Sequence, residues 1–315
     1  MAITEGYVIP AIELDSLSAA GGVTATIKGV TSSRYSKNVQ QVIGHGDSEP
    51  RPRTRFTERR SSMIDFTSFD LPAALANIPS VGLDIGNDAT RDGLKFFLQK
   101  ILAGGMRVPI ATAQHKKLTM RKGILVPVRL EIPETGNANV ACQATAVKDG
   151  ANAPVAVTSN VALETAGGAS VGFGLGPVKI NGTTIVGRVS ASINFGITVE
   201  QIYDSGEIDP TEVHITTIEP SISLVCLDVA NFAVLGLDPL DISSTVVIYC
   251  RKRSADGYVA DITAEHVSLT INDGIFNWTE AGGEDNKPIR ITGTIDPSWD
   301  GTNAPIVTNT ATAIS

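Results

Sequence analysis

The chain has 315 residues, 42% of them hydrophobic and 18% charged, with 30 Gly and 16 Pro. That is enough apolar material for one large core or two of about 150 residues, and it excludes global disorder and a collagen. Val, Ile and Thr outnumber Met, Trp and Tyr, a balance that suits strands.

The longest apolar runs, such as residues 124–128, fall far short of the roughly 20 residues needed to cross a bilayer, so no membrane segment is expected. The start, MAITEG, has neither a basic nor an apolar region of the secretory kind. Cys142, Cys226 and Cys250 lie far apart with no CxxC pair, which fits thiols in a reducing compartment.

In chain order, residues 64–69 read as a strand, and Asp70 as an N-cap for a short helical turn over residues 71–75, with Pro72 in the first turn. Residues 90–103 predict the clearest helix. Leu94, Phe97, Leu98, Ile101 and Leu102 form one apolar stripe there, closed by Gly104 and Gly105. A strand follows at residues 117–120, and Lys122-Gly123 reads as a tight turn into its hairpin partner. A Gly-rich stretch, residues 164–170, marks a boundary. Residues 189–199 then alternate as one half-buried strand, Gly206 closes a turn, and residues 213–218 and 222–227 are further strands. Asp228 repeats the cap, followed by a helical turn through Val229, Phe232 and Leu235. Strands are expected at residues 245–249 and 267–271, with Asp273-Gly274 as a second hairpin turn.

These elements recur because the sequence does. Residues 112–124, TAQHKKLTMRKGI, return as TAEHVSLTINDGI at 263–275, identical at seven of thirteen positions with a spacing of 151. DGANAPV at 149–155 returns as DGTNAPI at 300–306 with the same spacing. Upstream, Val39 to Ile43 face Val199 to Tyr203, and Gly46 and Pro50 face Gly206 and Pro210, at a spacing of 160. Ile64, Phe66 and Asp70 face Ile222, Leu224 and Asp228 at 158. One unit of about 150 residues is thus expected twice, as 1–162 and 163–315. Each is read as a mainly β sandwich or barrel with a flanking helix.

The halves differ in charge. Residues 1–157 hold 18 basic and 14 acidic side chains, residues 158–315 hold 7 and 19, and the chain carries −8 overall. An acidic total argues against generic nucleic-acid binding. Opposite signs fit docking of one half on the other half of a neighbour, or simply a drift in the composition of a solvated surface.

Sites of chemistry are sparse. His45, His115, His214 and His266 show no metal-ligand spacing, so no metal site and no cofactor are expected. His115 and His266 occupy equivalent places in the repeat, which favours a role in the fold over catalysis. Gly168-Ala169-Ser170-Val171-Gly172 matches the GxSxG pattern without the strand and helix that a nucleophile elbow requires. The Gly-rich run from Gly172 to Gly176 has no helix behind it to bind phosphate. The chain does not read as an enzyme.

One basic run stands out. Arg51, Arg53, Arg55, Arg59 and Arg60 crowd ten residues, while the matching stretch of the second half has no Arg or Lys and carries Glu212 and Glu219. Complementary interface loops, a nucleic-acid contact and a solvated loop all fit. The nucleic-acid contact is the weakest of these, because no aromatic residues are interleaved as stacking platforms.

With residues 189–197, VSASINFGI, the turn at Gly206, Pro210, and residues 220–228, PSISLVCLD, the second half resembles the tail tube proteins of long-tailed bacteriophages. The first half is similar through Gly46, Pro50 and IDFTSFDL at 64–71. The resemblance implies a β-sandwich with a flanking helix, arranged six units to a ring. The rings stack into a hollow tube that conducts double-stranded DNA to the host. It implies further a virion protein of the tail, assembled in the host cytoplasm, whose partners are itself, the tape measure protein, DNA in the lumen and other tail proteins at the tube ends. A doubled unit then implies three chains per ring with pseudo-sixfold symmetry, and an acidic or neutral lumen along which DNA slides. The alternatives are a baseplate hub or tail-tip ring protein and, in another class, a two-module carbohydrate-binding adhesin. The adhesin would need exposed aromatic residues, for which Trp278, Trp299 and a few Tyr are available.

Overall fold

Alternation of β-branched and small polar side chains, broken by Gly and Pro, gives a mainly β chain whose strands pair antiparallel. The computed structural model describes residues 6–9, 11–15, 24–44, 54–86, 93–102, 104–163, 171–283 and 288–315. The first half contains β1 (Gly6–Val8), β2 (Ile12–Asp15), β3 (Thr24–Ile27), β4 (Val30–Gly44), β5 (Thr54–Ser68) and α1 (Leu71–Asn77). It continues with β6 (Leu83–Ile85), β7 (Gly93–Ile101), β8 (His115–Met120), β9 (Gly123–Ile132), β10 (Asn139–Ala146) and β11 (Ala156–Val161). The second half begins with β12 (Phe173–Ile180), β13 (Thr183–Thr184), β14 (Arg188–Asn194), β15 (Ile197–Ile202), β16 (Glu212–Ile218), β17 (Ser221–Cys226) and α2 (Ala230–Leu235). It ends with β18 (Leu240–Asp241), β19 (Val246–Ser254), β20 (Gly257–Tyr258), β21 (His266–Ile271), β22 (Gly274–Gly282), β23 (Arg290–Pro297) and β24 (Val307–Thr312).

Strand order is the same in the two halves. One sheet runs β11-β8-β7-β2-β3 and another β24-β21-β19-β12-β13. β1 adds to the first of these on β7 and β20 to the second on β19, and all remaining strands except the β15–β16 hairpin join a ten-stranded sheet, ordered β4-β5-β10-β9 and then β14-β17-β23-β22-β18, with β6 on β9. The irregularities coincide as well. Bulges at Val30/Ser32 and Gln40/Gln41 lie 158 residues before those at Arg188/Ser190 and Thr198/Val199. The bulge opposite Ala141/Cys142 lies 151 residues before the one at Trp278/Glu280. This register replaces the spacing of 160 read for Val39 to Ile43, because Val39 stands where Ile197 does. Leu83-Asp84-Ile85 also matches Leu240-Asp241-Ile242, in pairs with β9 and β22.

The core lies between each smaller sheet and its part of the large one. Phe66 meets Phe96 edge to face at 5.8 Å, and Trp278 stands edge-on to Phe276 and Phe232 at 4.8 and 5.2 Å. Burial raises the thiols of Cys142, Cys226 and Cys250, to about 11 for Cys226 and about 12 for Cys250. All three are free and buried.

Three expectations are corrected here. The helix over residues 90–103 is the strand β7 over its described part. Leu94, Lys95, Phe96 and Phe97 are all buried, so the strand is covered on both faces and its apolar positions mimic a helical stripe. Residues 189–199 are not one strand. The ladder breaks at Gly196, whose φ of +60° and contact with the Glu219 carbonyl suit only glycine. The third correction concerns Lys122-Gly123 and Asp273-Gly274, which do not close hairpins. β8 and β9 lie in different sheets, as do β21 and β22, so each Gly makes a corner where the chain changes layer.

Asp70 is the N-cap of α1 as expected, whereas the N-cap position of α2 is Val229, which makes no side-chain cap bond, and Asp228 stands one residue before it. Asp70 accepts from the Ala73 amide and Asp228 from the Ala230 amide. His115 and His266 are fully buried tacks. Nδ1 accepts from the Lys100 or Lys252 amide, and Nε2 donates to the Pro109 or Ala260 carbonyl. Each pins the loop that leaves β7 or β19 back onto its sheet.

Candidate assembly interface

The two halves meet at the β9–β10 turn, where the Ala138 amide donates to the Phe173 carbonyl at 2.8 Å and Arg290 lies 3.0 Å from Glu134, and in three further places. First, β9 and β14 pair edge to edge, Leu130 opposite Ile193 and Arg129 opposite Asn194, and the Phe195 amide donates to the Val128 carbonyl at 3.0 Å. Arg129 Nε donates to Ser192 Oγ at 3.0 Å across this joint. Second, β24 lies on α1. Thr308 Oγ1 donates to the Leu75 carbonyl at 3.4 Å, Ser80 Oγ donates to the Ile306 carbonyl, and Ile306 is buried beneath the helix end.

Third, the β15–β16 hairpin folds over the first half at the Gly196 break. Its tip is acidic and the surface beneath it is basic. Asp209 receives Arg60 through both carboxylate oxygens, and the Arg60 amide donates to the Ile208 carbonyl at 2.7 Å. Lys148 Nζ lies 2.8 Å from Glu207, the Lys148 amide donates to Pro210, and Arg59 stacks over the Tyr203 ring at 5.0 Å. Asp209 is nearly buried, so its pairing with Arg60 is desolvated on one side. Asp209→Ala leaves Arg60 without that partner. It is expected to cost about 1–3 kcal/mol, seen as a lower urea midpoint and faster proteolysis within residues 197–218. An unchanged midpoint would mean that the clamp contributes nothing.

The arginine run therefore divides. Arg51 and Arg53 lie outside the described residues. Arg55, Arg59 and Arg60 sit on the strand β5 instead of a loop, with Arg55 and Arg59 exposed. Arg60 finds Asp209, not Glu212 or Glu219. Glu212 sits 3.3 Å from His214 on the exposed side of β16, and Glu219 lies exposed at the bend after it. Tyr203, Glu207, Asp209 and Lys148 were not singled out by sequence. The visible trace was the acidic run from Asp204 to Asp209, which stands 149 residues from Arg60 when measured to Asp209. The GxSxG pattern falls largely outside the described residues, and the run from Phe173 onward is β12.

Among the described residues, the joint leaves two strand edges of the large sheet unpaired along most of their length. One is the outer edge of β4, the other that of β22 beyond Phe276, where only the two residues of β18 pair. A hollow of about 990 Å³ lies over one end of β17, β23 and β22, lined by Glu134, Val225, Leu227, Glu280, Arg290 and Thr292 among others. The sheet's face away from the core is rich in small hydroxyl and amide side chains. Thr67, Gln143, Ser190, Ser192, Ser221, Ser223, Thr292 and Thr294 occupy successive strands at half-buried or exposed positions. Charges on this face are few and of both signs. Asp65 lies opposite Arg34 and accepts from Gln143 at 2.9 Å, and Arg129 lies 3.1 Å from Glu131.

Among the described residues no group of three metal-ligating side chains comes together, and no helix is long and apolar enough to cross a membrane. Comparison with known proteins gives no family model that matches the chain and no curated protein similar to it.

Proposed function

We propose that the chain is a structural tail tube protein of a long-tailed bacteriophage. In this reading it carries two tube-type units, residues 1–162 and 163–315, that alternate around stacked rings. The observation that carries the reading is the edge-to-edge joint β9–β14 inside one large sheet, with matching edges left open at β4 and β22 among the described residues. An open edge invites another strand, and a joint that is head-to-tail within the chain can continue head-to-tail between chains until the rotation closes. Three chains would then present six units. The large sheet would line the lumen with its hydroxyl-rich face, where scarce fixed cations give DNA phosphates little to hold.

Supporting this, the halves carry opposite charge, and the contact already made within the chain sets Arg60 and Lys148 against Asp209 and Glu207. A hub that forms one ring shares the same geometry. Negative-stain microscopy of purified protein, with two-dimensional averaging, tests the proposal. Stacked rings or tubes with sixfold-like averages are expected. Single unstacked rings would point to the hub, and a particle that stays monomeric at all concentrations would overturn the reading.

A further inference from the structure

The β9–β14 and β24–α1 contacts between the halves predict the contact between chains, because the elements that make them have equivalents that are exposed elsewhere. Spacings of 151 and 158 carry the β9–β14 joint onto β22 and β4. Arg129, Leu130 and Glu131 become Glu280, Ala281 and Gly282. Ser192, Ile193 and Asn194 become Arg34, Tyr35 and Ser36. The hydrogen bond from Arg129 to Ser192 thereby becomes a meeting of Glu280 with Arg34, an opposite-charge pair of exposed residues.

The second contact transfers as well. β24 on α1 becomes β11 on α2, with Thr308 and Leu75 replaced by Val157 and Ala233. Val157 is 62% exposed on β11, while Val234 and Leu237 are 63% and 68% exposed at α2. Large apolar side chains left uncovered on both members of an equivalent pair mark surfaces that a partner covers.

We propose that neighbouring chains repeat the contact found inside each chain, β4 of one pairing with β22 of the next so that Tyr35 faces Ala281 and Arg34 meets Glu280, while β11 of the first lies on α2 of the second. The occupant of each face is a second copy of this chain, selected by charge and register. Two first halves do not pair this way, since the same edge of β9 is already taken by β14 and Arg34 would also meet Arg129. The inference rests on the ring-forming reading and adds its register and polarity.

Disulfide mapping tests it on the full chain. With Tyr35→Cys and Ala281→Cys together, mild oxidation should give covalent multimers. The pair Tyr35→Cys and Thr279→Cys, two residues out of register, should cross-link several-fold less. Background is low because the native thiols are buried and their ionisation is suppressed. Arg34→Glu and Glu280→Arg should each raise the concentration needed for assembly roughly tenfold, and the double reversal should restore it. Val157→Asp and Leu237→Asp, both at exposed positions, should weaken assembly while leaving monomer melting unchanged. Rings that form without the 35–281 cross-link would overturn this register and leave the ring reading standing. Failure of the double reversal to restore assembly would remove the Arg34–Glu280 pair, and unaltered assembly in both Asp variants would remove the β11–α2 contact. A chain that is monomeric throughout would overturn both readings.

Discussion

Lys37→Pro is expected to leave a folded, monodisperse monomer that no longer assembles. Lys37 occupies on β4 the place that Phe195 holds after β14, and the Phe195 amide is the one that donates to the Val128 carbonyl across the joint. The Lys37 amide thus points away from β5, toward the open edge. Proline removes only that donor, and proline on an edge strand with its nitrogen turned outward is tolerated within the sheet. At the joint it leaves the Thr279 carbonyl of the neighbour unmatched, at about 1–3 kcal/mol per contact, or roughly 5- to 150-fold in affinity. The proposed ring of three chains would meet this loss three times. Analytical ultracentrifugation beside a thermal melt separates the two effects. Wild-type assembly by Lys37→Pro would mean that the β4 edge is not the joint, and Lys37→Ala should assemble normally because its backbone donor is kept.

Such a prediction depends on register, and register was only partly legible in the sequence. The spacing of 151 downstream of residue 112 could be read directly, since identical residues such as His115 and His266 serve one backbone task in each half. Upstream, Val39 to Ile43 slid by two residues onto the wrong partners. A strand keeps its face under a slip of two, so hydrophobic pattern could not detect the error. Only the paired bulges fixed it. β7 was misread for a related reason: a strand buried on both faces loses the period of two that identifies a half-buried one. The short helices were legible because Asp70 and Asp228 act through local hydrogen bonds. The interface was harder to see. Arg60 and its contact with Asp209 span 149 residues, and nothing local in either segment encodes the other. Charge asymmetry has the signs of that contact, basic first half against acidic second, but it reads as docking between neighbouring molecules and points to none of these residues.

Gly274→Ala should be among the most damaging single changes in the chain, and its cause is the corner at which the sequence suggested a hairpin. Gly274 has φ of +142°, and a Cβ there would fall on the Asp296 carbonyl oxygen and 3.0 Å from the Pro297 Cα. Neither neighbour can yield, because both belong to the backbone of β23, which pairs with Gly274 at this point. Backbone strain of about 1–3 kcal/mol and overpacking of a similar size add to about 2–6 kcal/mol. Gly123→Ala meets the same obstacle at the Thr145 carbonyl, with φ of +151°. Gly301, at φ of +90° with nothing within 4 Å of an added Cβ, isolates the conformational part. Gly301→Ala should therefore cost only about 1 kcal/mol. Denaturant midpoints for the three variants decide the matter; equal losses at 274 and 301 would mean that the corner carries no steric demand. The consequences for assembly should diverge too. Gly274 begins β22, the open edge, whereas Gly123 begins β9, the edge already joined to β14. If both variants still fold, Gly274→Ala should impair contacts between chains, and Gly123→Ala should loosen the two halves of one chain against each other.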